Sequence, residues 1–68
     1  MKSISGKALC KILENKGWFL KIINGSHHVY MKAGKKERIS VPVHGNKDLK
    51  LGLLKAVMKI AEIEESEL

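Results

Sequence analysis

An Asn24-Gly25 pair directly follows the apolar segment Trp18–Ile23, and no other feature constrains the fold of this 68-residue chain as strongly. Both central residues of a type I′ turn need positive φ, which Asn-Gly supplies more readily than most pairs. The preceding segment is rich in aromatic and β-branched residues, which favours a β-strand. We therefore predict a hairpin with Asn24-Gly25 at its turn. Its return strand should begin near Ser26 or His27 and end near Lys32.

A third strand is predicted over residues 38–43, after a turn at Ala33–Lys36. Its apolar and polar residues alternate with the period of two that is typical of a strand with one buried face. Pro42 has no N–H to donate, so this strand belongs at a sheet edge or pairs only near its end. The residues expected to face the core are Ile39, Val41 and Val43, and those expected to face solvent are Arg38 and Ser40.

Helical periodicity precedes the strands. A first helix is predicted over about Gly6–Lys16, because apolar side chains recur there at spacings of three and four residues. Ser3 or Ser5 can cap its start, and Gly17 stands where a left-handed residue usually ends a helix. The apolar stripe consists of Leu9, Ile12 and Leu13, with the stem of Lys16 at its margin.

A second helix is predicted over about Lys50–Ala61, after a loop at residues 44–48. Asp48 or Asn46 is expected to cap it. The acidic segment after Ile63 should form a final turn or fray. The stripe predicted to face the core contains Leu54, Val57, Met58 and Ala61.

The predicted order is therefore α-β-β-β-α in a single domain, residues 1–68, with an acidic tail over 62–68. Three consecutive strands joined by short turns form an antiparallel sheet, and two amphipathic helices can cover one of its faces. This α+β arrangement resembles the double-stranded-RNA-binding-domain fold. A fold of this kind leaves the function open.

The charge of the chain is strongly asymmetric. Thirteen Lys and Arg residues face seven Asp and Glu residues, and four of those acids lie in the last seven residues. Residues 1–61 therefore carry thirteen bases and three acids, a net charge of 13 − 3 = +10. Such a body favours polyanions, since each neutralised phosphate releases counterions. Twelve of the bases are Lys, which suits contact with a nucleic-acid backbone better than reading of bases. Solubility alone is the plainer explanation of the same composition.

The content of cysteine, histidine and apolar residues argues against several classes of site and of protein. Cys10 is the only cysteine, so no intrachain disulfide can form, and we expect a small apolar residue in a reduced, cytoplasmic protein. No apolar stretch has the form of a signal peptide or a membrane span, so no membrane association is expected. The three His residues and Cys10 lack the spacing of known metal motifs, and we predict neither a metal nor a cofactor.

Five short motifs occur in the order found in one known family. A first helix ends near Lys16-Gly17-Trp18, a hairpin carries Gly25-Ser26-His27, and the aromatic Tyr30 follows. Next come Val41-Pro42-Val43-His44 and then Leu49–Leu54, a Leu-x-x-Gly-x-Leu stretch that opens the last helix. Each motif alone is weak, but their order and spacing make the chain resemble the HicA (YcfA-like) toxins. One departure is His44-Gly45, where the family often has Pro after this His.

The resemblance covers nearly the whole chain, from Ser5 to Ile63, and it implies a definite activity. HicA proteins are toxins of type II toxin–antitoxin systems that cleave mRNA without the ribosome. The family depends on the His of the Gly-Ser-His segment, which is His27 in this sequence. A HicB-like antitoxin neutralises the toxin. We therefore expect RNA and such an antitoxin as partners, with the free toxin a monomer.

Elementary chemistry agrees with a His in that role. RNA cleavage needs a group that removes the proton of a 2′-OH, a proton for the leaving oxygen and positive charge near the phosphate. Imidazole suits proton transfer near neutral pH, because its reference pKa is about 6.5. The small residues Gly25 and Ser26 should allow a phosphate to approach closely, and Ser26 can donate to it. If Tyr30 packs under the helices, His27 points to the open face, the arrangement we favour. If instead Val29 and Met31 form the core pair, His27 sits at the rim and His28 is the exposed one.

The other candidate residues are expected to bind RNA. Adjacent strand residues face opposite ways, which argues against a metal site built from His27, His28 and His44. His44 could cap the second helix or line the same surface, and Tyr30 and Trp18-Phe19 are expected in the core rather than as stacking platforms. The predicted RNA-binding residues are Ser26, His28, Lys32, Lys35, Lys36, Arg38 and Lys47.

Two other functions are compatible with the sequence. A non-catalytic RNA-binding module of the same fold would show salt-sensitive binding without cleavage. A protein-interaction domain that docks an acidic partner would show negligible RNA affinity at physiological salt. The leading hypothesis is a metal-independent mRNA interferase that uses His27 as general acid or base.

Overall fold

The computed structural model describes residues 3–68. Its elements follow in the order α-β-β-β-α, with a short 3₁₀ helix after the second α-helix, and this confirms the predicted α+β layout. The bounds are Gly6–Asn15 for α1, Phe19–Asn24 for β1, His27–Met31 for β2, Ile39–Pro42 for β3, Leu51–Ala61 for α2 and Glu65–Glu67 for the 3₁₀ helix.

The three strands form one antiparallel sheet in the order β1-β2-β3. Asn24 pairs with His27, so the first hairpin turns at Gly25-Ser26, one residue later than the sequence predicted. Gly25 has φ +63°, whereas Ser26 is not among the residues with positive φ. Gly at the first central position is the pattern of a type II′ turn, which fits the twist of a hairpin as well as type I′ does. The prediction of a hairpin is therefore confirmed, and that of its turn type is wrong.

Strand β1 contains a β-bulge at Lys21. Leu20 pairs with Tyr30, but the next registered pair is Ile22 with Val29, which leaves Lys21 as an extra residue. A bulge of this kind bends the strand and interrupts the alternation of its side chains. Strand β1 is exposed along its whole length, including Phe19 and Leu20, which precede the bulge. Phe19, which was expected in the core, is 49% exposed at this sheet edge.

The core lies between one face of the sheet and the two helices. Tyr30 in β2 and its partner Ile39 in β3 are buried on this face, and so is Val41. Leu13 from α1 and Leu54 from α2 pack in the same cluster. The predicted outward positions Arg38 and Ser40 are both exposed, whereas Val43 is only half-buried. Trp18 is buried as expected, although it precedes β1 instead of beginning it.

The two helices begin in different ways. Ser5 caps α1, because its hydroxyl accepts a hydrogen bond from the N–H of Ala8 at 3.1 Å. Residue Lys50 occupies the cap position of α2, and no side chain of the described residues caps it. The expected cap by Asp48 or Asn46 is therefore wrong. Asp48 instead forms a β-bridge with Ser5, which joins the segment before α2 to the start of α1.

The acidic tail is folded rather than frayed. Glu62 ends α2 in the left-handed conformation (φ 56°), and the N–H of Ile63 donates to the carbonyl of Met58 at 2.9 Å. This reversal of the chain buries Ile63 against the core. Glu67 then forms an ion pair with Lys16 at 2.9 Å, and this partner holds the pKa of Glu67 below its ordinary value.

Tyr30 is anchored to α1 by a polar contact at the edge of the core. Its hydroxyl donates to Glu14 Oε2 at 2.7 Å, while its ring is 1% exposed. Burial, followed by the hydrogen bond to Glu14, raises the pKa of Tyr30 well above its ordinary value. Burial likewise raises the pKa of the neighbouring Cys10 thiol. The contact therefore fixes one face of β2 against α1 with a neutral phenol.

Tyr30→Phe should lower the free energy of unfolding by about 1–2 kcal/mol, because it removes the hydrogen bond from the hydroxyl to the carboxylate of Glu14. The loss stays modest because Glu14 is exposed and water can solvate its carboxylate. In the wild type, the unfolded chain loses the Tyr30 proton first, so stability should fall as pH rises above the ordinary pKa of 10.0. Urea titrations from pH 7 to 11 measure both effects. Equal stability of Tyr30→Phe and wild type at pH 7, with equal alkaline losses, would contradict the assigned role of this contact.

Candidate active site

His27 is the first residue of β2 and stands directly after the Gly25-Ser26 turn. Because Tyr30 is buried under the helices, the alternation of β2 sends His27 to the opposite face, which is open to solvent. Of the two arrangements that the sequence allowed, the structure has the first. The side chain of His27 is exposed, so a large ligand has access to its ring.

The turn before His27 is tied to the neighbouring strand. The N–H of Val43 donates to the carbonyl of Ser26 at 2.8 Å, directly beyond the paired residues His27 and Pro42. This bond continues the ladder between β2 and β3 to the turn. His27 therefore projects from a paired segment of backbone instead of a free loop.

One polar side chain contacts the ring of His27. Ser40 Oγ lies 3.4 Å from Nδ1 of His27, and both residues are exposed. Ser40 pairs with Val29 in the sheet, so it is the diagonal neighbour of His27 on the open face. A long contact of this kind leaves Nε2 of the imidazole directed away from Ser40 and available to a ligand.

His28 is held on the other face of the sheet. It pairs with the buried Val41, is itself half-buried, and lines a shallow cavity beside Lys7 and Lys11 of α1. The two adjacent imidazoles therefore do not form one site. Among residues 3–68, no group of three His, Cys, Asp or Glu side chains is placed to hold a metal ion.

The predicted basic residues fall into two groups along the sheet. Lys47 follows β3 at the end where Pro42 pairs with His27. The other end, about 10 Å away along a four-residue strand, begins at Ile39. Four predicted basic residues flank that far end, namely Lys32, Lys35, Lys36 and Arg38. Within the described residues, Ser26 directly precedes His27, and Lys47 lines a cavity together with Pro42, the cross-strand partner of His27. The other five predicted RNA-binding residues lie at the far end of the sheet or, for His28, on its other face.

Lys35 already has partners within the protein. Its Nζ lies 3.3 Å from Glu62 Oε2 and 3.5 Å from the carbonyl of Ile60 at the end of α2. Together with the Lys16–Glu67 ion pair, this contact places the acidic tail near the ends of α1 and α2. The tail therefore neutralises Lys16 at the end of α1 and Lys35 in the turn between β2 and β3.

Comparisons with known proteins assign the family. A sequence model described as the HicA toxin of bacterial toxin–antitoxin systems matches residues 6–63 of the 68. The chain belongs to the HicA toxin family. Membership in a family of toxin–antitoxin systems implies an antitoxin partner. A comparison with curated proteins gave no match. In the described part of this HicA chain, neither helix is long and apolar enough to span a membrane.

Several side chains near His27 of this HicA protein were not found by sequence reasoning. Ser40 was expected to be exposed, but no sequence signal indicated a contact with a residue 13 positions away. Lys50 and Leu53 contribute to a cavity beside β3, together with His44 and Lys47. Their roles depend on how α2 approaches the sheet, and the periodicity of a helix does not contain that information.

Ser40→Ala should change the chemical environment of the His27 ring nitrogen Nδ1, which Ser40 Oγ contacts. The fold should stay the same, because Ser40 is exposed. Removal of the hydroxyl should move the Nδ1 resonance of His27 toward that of a freely hydrated imidazole. Two-dimensional ¹⁵N NMR of the ring nitrogens measures this shift, and His44, which has no contact with Ser40, is the internal control. An unchanged His27 ring in Ser40→Ala would show that the 3.4 Å contact does not bias the imidazole.

Proposed function

We propose that this HicA protein is a metal-independent endoribonuclease that cleaves mRNA without the ribosome and uses His27 as its proton-transfer group. The observation that supports this most is the position of His27, an exposed imidazole on the open face at the start of β2. The residue belongs to the Gly25-Ser26-His27 motif of the family, and its partner Ser40 touches only one ring nitrogen. The other nitrogen can meet a ribose.

One imidazole is sufficient for a balanced reaction. Neutral His27 removes the proton of a ribose 2′-OH, and O2′ attacks the adjacent phosphorus. The bond from phosphorus to O5′ then breaks, which gives a 2′,3′-cyclic phosphate. The imidazolium returns its proton to O5′, so the second product carries a 5′-OH and His27 is neutral again.

The surroundings of His27 support binding of an RNA backbone. Gly25 has no side chain to hinder a phosphate, and Lys47 lies at the same end of the sheet. Residues Arg38 and Lys36 extend positive charge to the far end of β3. A single strand that crosses the open face would therefore meet cations at both ends of β3.

The partner in this proposal is a HicB-like antitoxin that covers the toxin. Among residues 3–68, strand β1 forms an outer edge of the sheet, and it carries exposed apolar residues. Exposed apolar patches of this kind are typical of protein-interaction surfaces. The free toxin acts in this proposal as a monomer in the cytoplasm. The exposed apolar side chains of β1 are Phe19, Leu20, Ile22 and Ile23, which are 41–57% exposed.

His27→Ala should keep the fold and lower the rate of RNA cleavage by about 10²–10⁴-fold, the usual contribution of general acid–base catalysis. A purified protein, a labelled single-stranded RNA and gel analysis of the products measure the rate. His28→Gln is the matched comparison, because the two residues are adjacent and face opposite ways. This variant should retain cleavage at close to the wild-type rate, because His28 faces the helices and not the open face.

Three outcomes would contradict parts of this proposal. Wild-type cleavage by His27→Ala would remove its assigned role. Strong inhibition by EDTA would point to a metal. Binding of RNA without cleavage by any preparation would leave the non-catalytic RNA-binding module as the function, and growth of cells that express the protein would then be unaffected.

Lys47→Ala should weaken RNA binding more at low salt than at high salt. Loss of one phosphate contact reduces the slope of log affinity against log salt by about 0.7 for a single strand. Fluorescence anisotropy with an RNA blocked at its 2′-OH groups measures the slope. Lys59→Ala is the control, because Lys59 is an exposed lysine in the last turn of α2. Identical slopes for the two variants would show that Lys47 contacts no phosphate.

A further inference from the structure

A cavity of about 290 Å³ opens between the end of β3 and the start of α2. Apolar side chains form much of its wall, namely Pro42, Leu49 and Leu53. The polar lining residues are His44, Lys47, Asp48 and Lys50, and each is exposed. Pockets for small molecules usually measure roughly 300–1,000 Å³, so this cavity has room for one small planar group.

The cavity borders the candidate active site. Pro42, which forms part of its wall, is the cross-strand partner of His27. Directly paired residues lie about 5 Å apart and point to the same face of a sheet. The cavity and His27 therefore adjoin the same cross-strand pair, although His27 itself does not line the cavity.

The lining chemistry matches one class of ligand. An unstacked nucleobase is a planar, largely apolar group attached to a phosphate, and it needs an apolar wall with cations close by. The wall is supplied by Leu49 and Leu53, and the cations by Lys47 and Lys50, which outnumber the one lining carboxylate, Asp48. The imidazole of His44 adds an aromatic ring on which a base can stack.

We propose that this cavity binds one base of the RNA strand, next to the nucleotide on which His27 acts. The proposal rests on the proposed function for its substrate and adds a base-binding site to it. Bound there, the base fixes the position of the neighbouring ribose relative to His27. The cavity then determines which phosphodiester is cleaved, whereas the lysines bind the phosphate backbone of any sequence.

The test separates binding from cleavage. A six-nucleotide RNA with 2′-O-methyl groups cannot be cleaved, because the attacking oxygen is blocked. Methyl resonances of Leu49 and Leu53 should shift when this RNA is added to the full-length protein. The methyl resonances of Leu51, an exposed α2 residue outside the cavity, should not shift and serve as the reference.

His44→Ala should weaken binding of this RNA about tenfold, the usual loss when one stacking partner of a base is removed. His44 is exposed, so this variant should fold. Lys50→Gln is the second variant and should also weaken binding. Lys55→Gln is its matched control, because Lys55 is an exposed lysine of the same helix outside the cavity.

The outcomes distinguish this site from the nuclease itself. Shifts at Leu49 and Leu53, with weaker binding by His44→Ala, would support the site even for a protein that cleaves no RNA. Cleavage by the wild type, with no shift at Leu49 or Leu53 and normal binding by His44→Ala, would overturn the site and leave the nuclease intact. Shifts caused by the antitoxin but not by RNA would overturn it in favour of a protein-binding pocket.

Discussion

The contact of Tyr30 with α1 decides which face of β2 belongs to the core. The ring is buried among the apolar side chains of the helices, and its hydroxyl donates to Glu14 at 2.7 Å. Because side chains alternate along a strand, this one choice sends His27 to the open face and His28 toward the helices. A register shifted by one residue would exchange the two imidazoles. The accessibility of His27 thus depends on a packing contact three residues away.

The backbone around His27 is fixed by the ends of two strands. Pairing of His27 with Pro42, and the bond from Val43 to Ser26, continue the ladder up to the hairpin turn. Pro42 tolerates this place because β3 is an edge strand. In the same region Gly6, the first residue of α1, packs so closely on the carbonyl of Pro42 that a Cβ there would collide with it. These contacts hold a solvent-exposed imidazole on a rigid support, as an active site requires.

The distribution of charge follows from the path of the tail. Glu62 and Glu67 meet Lys35 and Lys16 near the ends of the helices. The acids therefore neutralise Lys16 at the end of α1 and Lys35 in the turn between β2 and β3. Such exposed pairs contribute little to stability, so their main effect is on where the positive field of the molecule lies.

The sequence by itself determined the order of elements, the identity of most core residues and the family. Local rules were sufficient there, because hairpin residues, strand alternation and helical periodicity each depend on neighbours in the chain. At the hairpin, the local rules placed the turn one residue too early, since it lies at Gly25-Ser26. Before α2, they predicted a helix cap at Asp48, but this residue pairs with Ser5 instead. They also failed at Phe19, which pairs with Met31 on the face opposite the buried Tyr30, because an unbroken segment of apolar residues does not show which of them face the core.

Only the tertiary structure decided the surroundings of the candidate site. The contact of Ser40 with His27 joins two strands, and the cavity beside Pro42 joins β3 to residues of α2 such as Leu53. Likewise, the sequence supplied a set of basic residues, but the length of β3 separates Lys47 from Arg38. The physical reason is that a side chain's type and local periodicity are written in the sequence, whereas distances between segments arise from the packing of helices on a twisted sheet.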